Sequence, residues 1–180
     1  MAIPETHQAF LDAASKKLAN DPRIVGVAAG GSYLTGTMDD FSDVDLVIVV
    51  EPSAFHALLE ERRVIAATLG PLLAAFTGEH VGEPRLLICL YGSPLLHVDL
   101  KFVAATDVAT RVEDPAILFE RDGRVTNALA THDARSCLDA LDATIGLYRD
   151  VRRPGVVANV AAERESIAYV AGIRKHLRLR

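Results

Sequence analysis

Apolar side chains recur along this chain with two periods, one helical and one alternating, and the switches between them mark the elements. Phe10, Leu11, Ala14 and Leu18 fall on one face of a helix over 5–19, with Pro4 suited to its first turn. Ile24 to Ala29 reads as a short buried strand that runs into Gly30-Gly31, and residues 32–42 are rich in turn formers. Val44 to Val50 is β-branched and nearly continuous, the pattern of a strand covered on both faces. Ser53 is placed to cap a helix carrying Phe55, Leu58, Leu59, Ile65 and Leu69 on one stripe, with Gly70 as its stop. Leu86 to Tyr91, the turn Gly92-Ser93-Pro94 and Leu95 to Val103 predict a β-hairpin. Ala116 to Glu120, Asp122-Gly123 and Val125 predict a second, weaker hairpin at a sheet edge. From His132 the period becomes helical again. Ala134, Cys137, Leu138, Leu141, Ile145 and Tyr148 mark one helix, and after Pro154-Gly155 Val157, Val160, Ile167, Val170 and Ile173 mark another. The order predicts an α+β domain over 1–130, a mixed sheet flanked by helices, followed by a C-terminal helical segment over 131–180.

Composition narrows the class. The 180 residues are half hydrophobic and 24% charged, which suits a packed core and excludes disordered, collagen-like and disulfide-scaffold proteins. No apolar run is long enough to cross a bilayer, and Met1 to Glu5 has neither the basic nor the apolar region of a signal peptide. Cys89 and Cys137 stand alone, without metal-site or disulfide spacing, as expected of a soluble protein of the reducing cytoplasm. A net charge of −5 speaks against nucleic acid as a partner, because nonspecific binding of phosphate backbones needs a dominant basic surface. The charge is uneven, however. Residues 149–180 hold eight Lys/Arg against three Asp/Glu. A solvated helix face accounts for this, and a basic end leaning over an anionic ligand is the sharper alternative.

The chemistry concentrates between Gly30 and Leu46. Consecutive glycines at a strand end let the backbone bend and present N–H groups, which with the Ser32 hydroxyl can cradle a phosphate. Asp43 and Asp45, two residues apart around the start of a strand, point to one side. Like charges so close repel unless a cation lies between them, and a hard oxygen-seeking ion such as Mg2+ answers that need. In Leu95 to Phe102 the alternation puts His97, Asp99 and Lys101 on one face and Leu96, Val98, Leu100 and Phe102 on the other, toward the core. Pairing with Lys101 suffices to explain Asp99 alone. Three acids together with the glycine loop point to a metal-dependent site. Phosphate-loop, dinucleotide, nucleophile-elbow and His-Glu-x-x-His patterns are all lacking.

Gly31-Ser32, ten residues, then Asp43-Val44-Asp45-Leu46 resembles the G-S-x10-D-x-D signature of the nucleotidyltransferase superfamily related to DNA polymerase beta. Gly36 sits where small members carry a glycine, and Asp99 resembles their third carboxylate. The layout is similar over residues 5–130, and the small domain with added helices is similar to antibiotic nucleotidyltransferases acting on aminoglycosides or lincosamides. The resemblance implies a palm-like sheet and transfer of a nucleoside monophosphate, AMP from ATP or its counterpart from another NTP, to a hydroxyl of a small-molecule acceptor. It further implies two Mg2+ ions held by Asp43, Asp45 and Asp99, with Gly30, Gly31 and Ser32 on the phosphates. Small members often carry an arginine after Gly-Ser. Here Tyr33-Leu34-Thr35 follow, so Lys101 becomes a candidate to supply positive charge, alongside its role of neutralising Asp99. Glu79 is a candidate general base, His97 a residue orienting Asp99 or the substrate, and Glu83 and Arg85 surface residues where a strand begins. A regulatory module of the antitoxin type, binding or modifying a partner protein, is the alternative function. A binding protein without turnover would have no use for the clustered acids. The two tail helices must dock on the sheet or on a second chain, and a homodimer sharing an acceptor site is one such arrangement.

Overall fold

A computed structural model describes residues 3–111 and 113–130. The chain divides into a unit of residues 1–108 and 115–129 and a second of residues 109–114 and 130–180. The expected helices of the segment 131–180 lie outside the described residues. Helix α1 (Glu5–Leu18) follows Pro4 and buries His7, Leu11, Ala14 and Leu18, spaced along one stripe. Strand β1 (Ile24–Ala29) is buried throughout. A one-turn helix, α2 (Ser32–Thr35), then leads toward strand β2 (Val44–Val50). Helix α3 (Phe55–Leu69) buries Leu58, Ala66 and Leu69 and stops at Gly70. Strands β3 (Leu72–Gly78), β4 (Glu83–Tyr91), β5 (Leu96–Ala104) and β6 (Ala116–Glu120) and helix α4 (Arg124–Leu129) complete the described part.

The six strands form one sheet in the order β3-β4-β5-β2-β1-β6. Only β2 and β5 pair in parallel, from Val44 beside Val98 to Val50 beside Ala104; every other pairing is antiparallel. The α+β mixed sheet expected from the sequence is therefore the fold observed. Val44, Leu46, Ile48 and Val50, with Val98, Leu100 and Phe102, face a core shared with Leu11, Ala14, Leu18, Leu58, Ala66 and Leu69. Tyr91 reaches into it, donating from its hydroxyl to the Ala66 carbonyl at 2.9 Å and meeting the Phe10 ring at 5.1 Å. A smaller core, Val25, Val49, Val103, Val108 and Val125, gathers separately. Gly26 permits it: a Cβ there would lie 2.3 Å from Val125 Cγ2.

Two expectations are corrected, and one strand is new. Ser53 makes no cap; a single 3-10 turn, Pro52–Ala54, leads into α3, whose start has no side-chain cap. The second hairpin is a strand followed by a helix. Glu120 accepts hydrogen bonds from the backbone N–H of Val125 (3.0 Å) and Thr126 (2.9 Å), so the turn at Asp122-Gly123 opens α4 instead of a returning strand. Strand β3 was not anticipated. Its Leu-Leu-Ala-Ala-Phe run has weak strand propensity and no alternation, and pairing with β4 determines it.

Phe102 is fully buried at the centre of the larger core. Phe102→Ala should lower the unfolding free energy by about 3–5 kcal/mol, read from urea unfolding of the two proteins side by side.

Candidate active site

The parallel register sets Asp45 directly beside Asp99. Neighbours in register share a face, so both carboxylates leave the sheet on the side away from Leu46 and Leu100. Asp43 stands one residue before β2 and is half-exposed. Between β1 and α2 the backbone turns back against this pair. The Gly30 N–H donates to the Asp45 carbonyl at 3.1 Å, and Gly31 adopts φ +57°. A Cβ on Gly31 would lie 2.2 Å from Asp45 Oδ2. Glycine is thus required twice over, by conformation and by the closeness of the acid. Gly36, at φ +66°, closes α2, and the Thr37 N–H donates to the Ser32 carbonyl at 3.3 Å.

His97 lies between two of the acids. Its Nδ1 is 2.7 Å from Asp43 Oδ1, and its Nε2 is 3.2 Å from Asp99 Oδ1. The second contact lacks hydrogen-bond geometry, leaving Nε2 and Asp99 Oδ1 both sealed from solvent without a hydrogen-bond partner. Burial pushes the Asp99 carboxyl above its usual range; the His97 ring opposes the shift and the Asp43 charge adds to it. The sequence placed His97 near Asp99. Its hydrogen bond to Asp43, on another strand's approach, depends on the β2–β5 register and has no local signature.

Lys101 does not neutralise Asp99. Its ammonium meets Glu83 Oε2 at 3.0 Å, across the sheet to β4. Glu83 is also gripped by Arg85, with Nε and Nη2 donating at 2.7 and 2.8 Å. Arg85 and then Lys101, working against partial burial, hold the Glu83 carboxyl down at about 2. Glu83 and Arg85 stand, as expected, where β4 begins, and there they form a partly exposed ion pair that also takes in Lys101. Glu79 is exposed in the 3-10 turn Glu79–Val81, whereas Ile88 of β4 lies opposite Asp99. The register leaves Glu79 out of the acid cluster.

Among the described residues no group of three or more His, Cys, Asp or Glu side chains stands ready-made to hold a metal ion, and His97 occupies the space between Asp43 and Asp99. The donor set nevertheless suits one. Hard carboxylate oxygens from two adjacent strands converge beside a turn that only glycine fits. One of those oxygens is buried and unsatisfied, a state that a divalent cation relieves.

The mixed six-stranded sheet flanked by helices is consistent with a nucleotidyltransferase fold. Residues 10–75 match the nucleotidyltransferase domain family; that part of the chain is a nucleotidyltransferase domain, and the protein is a transferase of phosphorus-containing groups. The matched stretch holds Gly31, Ser32, Asp43 and Asp45 and ends inside β3, before Asp99. No curated protein matches the chain. Among the described residues no helix is long and apolar enough to cross a membrane.

Two outcomes follow from this geometry. Gly31→Ala and Gly36→Ala both place a side chain at positive φ, which costs about 1–3 kcal/mol, but nothing lies within 4 Å of a Cβ at Gly36. Urea unfolding should therefore show the Gly31 variant less stable than the Gly36 variant, the difference reporting the collision with Asp45. The depressed Glu83 carboxyl stabilises the fold above its ordinary 4.5, and that stabilisation drains away as pH falls toward about 2. Glu83→Gln should flatten the decline of the urea midpoint across this acid window and leave the profile above pH 5 parallel to that of wild type.

Proposed function

We propose that this protein transfers a nucleoside monophosphate, AMP from ATP foremost, to a hydroxyl group of a small-molecule acceptor. The observation that carries the reading is the side-by-side placement of Asp45 and Asp99 with the Gly31 backbone against the Asp45 carboxylate. Asp43, Asp45 and Asp99 would hold Mg2+, two ions on the resemblance noted above. Bound there, the metal would offset triphosphate charge and stabilise the attacking and leaving oxygens. The backbone at Gly30 and Gly31 and the Ser32 hydroxyl orient the β- and γ-phosphates. The acceptor oxygen forms its bond to the α-phosphorus as the bond to the β-bridging oxygen breaks and pyrophosphate departs. The acceptor's hydroxyl proton passes to bulk water as the new bond forms, its loss eased by the metal that Asp99 would help to hold.

Strand order supports an assignment of sides. β1, which ends at the Gly-Ser turn, flanks β2 on one side, and β5, which carries Asp99 and Lys101, flanks it on the other. The triphosphate then belongs over the β1–β2 side and the acceptor over β5. This favours Lys101 as an acceptor-side charge over a phosphate ligand. Aminoglycosides and lincosamides are the first acceptors to try, on the resemblance noted above.

The test incubates the full chain with Mg2+ and α-labelled ATP and a panel of hydroxylated small molecules that includes these antibiotics. Label should appear on a small molecule, and Asp45→Asn should reduce transfer by about 100-fold or more without lowering the melting temperature. Label on protein alone would replace the acceptor class with a polypeptide. No label on any acceptor in the presence of wild type would overturn the reading.

A further inference from the structure

Among the described residues, His7 is the polar side chain that the core swallows whole, at 2% exposure. It shares its stripe on α1 with Leu11, Ala14 and Leu18, where an apolar side chain would bury at less cost. Its Nε2 lies 2.8 Å from the Ser42 carbonyl, which can only accept, so the ring proton resides on Nε2. Its Nδ1 is sealed from solvent without a hydrogen-bond partner. The burial of this imidazole thus yields one hydrogen bond, the one made by Nε2.

That bond ends next to the site. Ser42 directly precedes Asp43, and it closes a turn held from within. The Ser42 hydroxyl donates to Asp39 Oδ1 at 2.7 Å, the Asp39 N–H to Ser42 Oγ at 2.9 Å and the Phe41 N–H to Asp39 Oδ1 at 3.0 Å. A turn so closed moves as one piece, and its position relative to the sheet depends on what grips it from outside. β2 grips it at one end; His7, projecting from α1, grips the carbonyl beside Asp43.

We propose that His7 is a positioning residue for nucleotidyl transfer: by holding the Ser42 carbonyl it sets the Asp43 carboxylate where, with Asp45 and Asp99, it receives the metal–nucleotide complex. The inference rests on the metal-binding reading of the three acids given above. His7 touches no substrate, so its effect shows in binding geometry rather than in a lost reactive group.

Three substitutions separate this role from simple packing. His7→Gln keeps an amide donor at the reach of Nε2, His7→Leu fills the space without a donor, and His7→Asn keeps a donor one methylene short. Calorimetric titration of the full chain with Mn2+ and a non-hydrolysable ATP analogue reads metal–nucleotide affinity directly. Affinity should fall by about 10-fold in His7→Leu and His7→Asn and return to within about 3-fold of wild type in His7→Gln. The KM for the metal–nucleotide should follow the same order, with kcat less affected. If His7→Leu fails to fold by circular dichroism, the Gln and Asn pair carries the comparison. Equal affinity across all folded variants, or losses that track melting temperature rather than the donor, would overturn the proposal. Absence of Mn2+–nucleotide uptake by wild type would instead bring down the reading beneath it.

Discussion

The parallel pairing of β2 with β5 is the constraint on which the site depends. With period-two alternation, a slip of one residue in that register would turn Asp99 into the core and bring Val98 or Leu100 out beside Asp45. The large core prevents the slip. Val44, Leu46, Ile48 and Val50 interlock with Val98, Leu100 and Phe102, and all seven are buried. The hydrophobic face thus acts as the gauge that sets the spacing of the polar face. Fold stability and site geometry are two consequences of one alignment.

The same logic explains why charges near the acids are arranged as they are. A carboxylate pair on adjacent strands is electrostatically unfavourable, and the structure meets this with His97 between Asp43 and Asp99. It does not use Lys101, two residues beyond Asp99 on β5, which is held by Glu83 of β4. Glu83 is in turn shared with Arg85, so the positive charges closest in sequence are drawn toward β4. Lys101 and Arg85 are thereby engaged by Glu83 and leave the acid cluster to its own oxygens and His97.

Much of this was legible in the linear sequence, and the exceptions are instructive. Helical and alternating periods located α1, β1, β2, α3 and the β4–β5 hairpin, because each buries a stripe or face that its own residues encode. Asp43, Asp45 and Asp99 stood out as acids where the pattern expects partners. Strand β3 did not, since its alanines carry no strand preference of their own. The helix after β6 did not, because its cap comes from Glu120, which reads as strand. The pairing of Lys101 with Glu83 and of His97 with Asp43 joins residues from different strands, and only the sheet register decides it. His7 was hidden for a related reason: a histidine on an apolar stripe looks like any other helix residue until its partner, 35 residues away, is in view.

Asp45 and Asp99 lie 54 positions apart, on strands that meet only after α3, β3 and β4 have been made. A chain emerging from the ribosome therefore completes its glycine turn and first two acids long before the third exists. Closing so long a loop is slow compared with forming helices or hairpins. The pairing of Asp45 with Asp99 consequently arrives late in folding, and a nascent chain interrupted ahead of β5 would carry the glycine turn, Asp43 and Asp45 without the strand that sets Asp99 beside them.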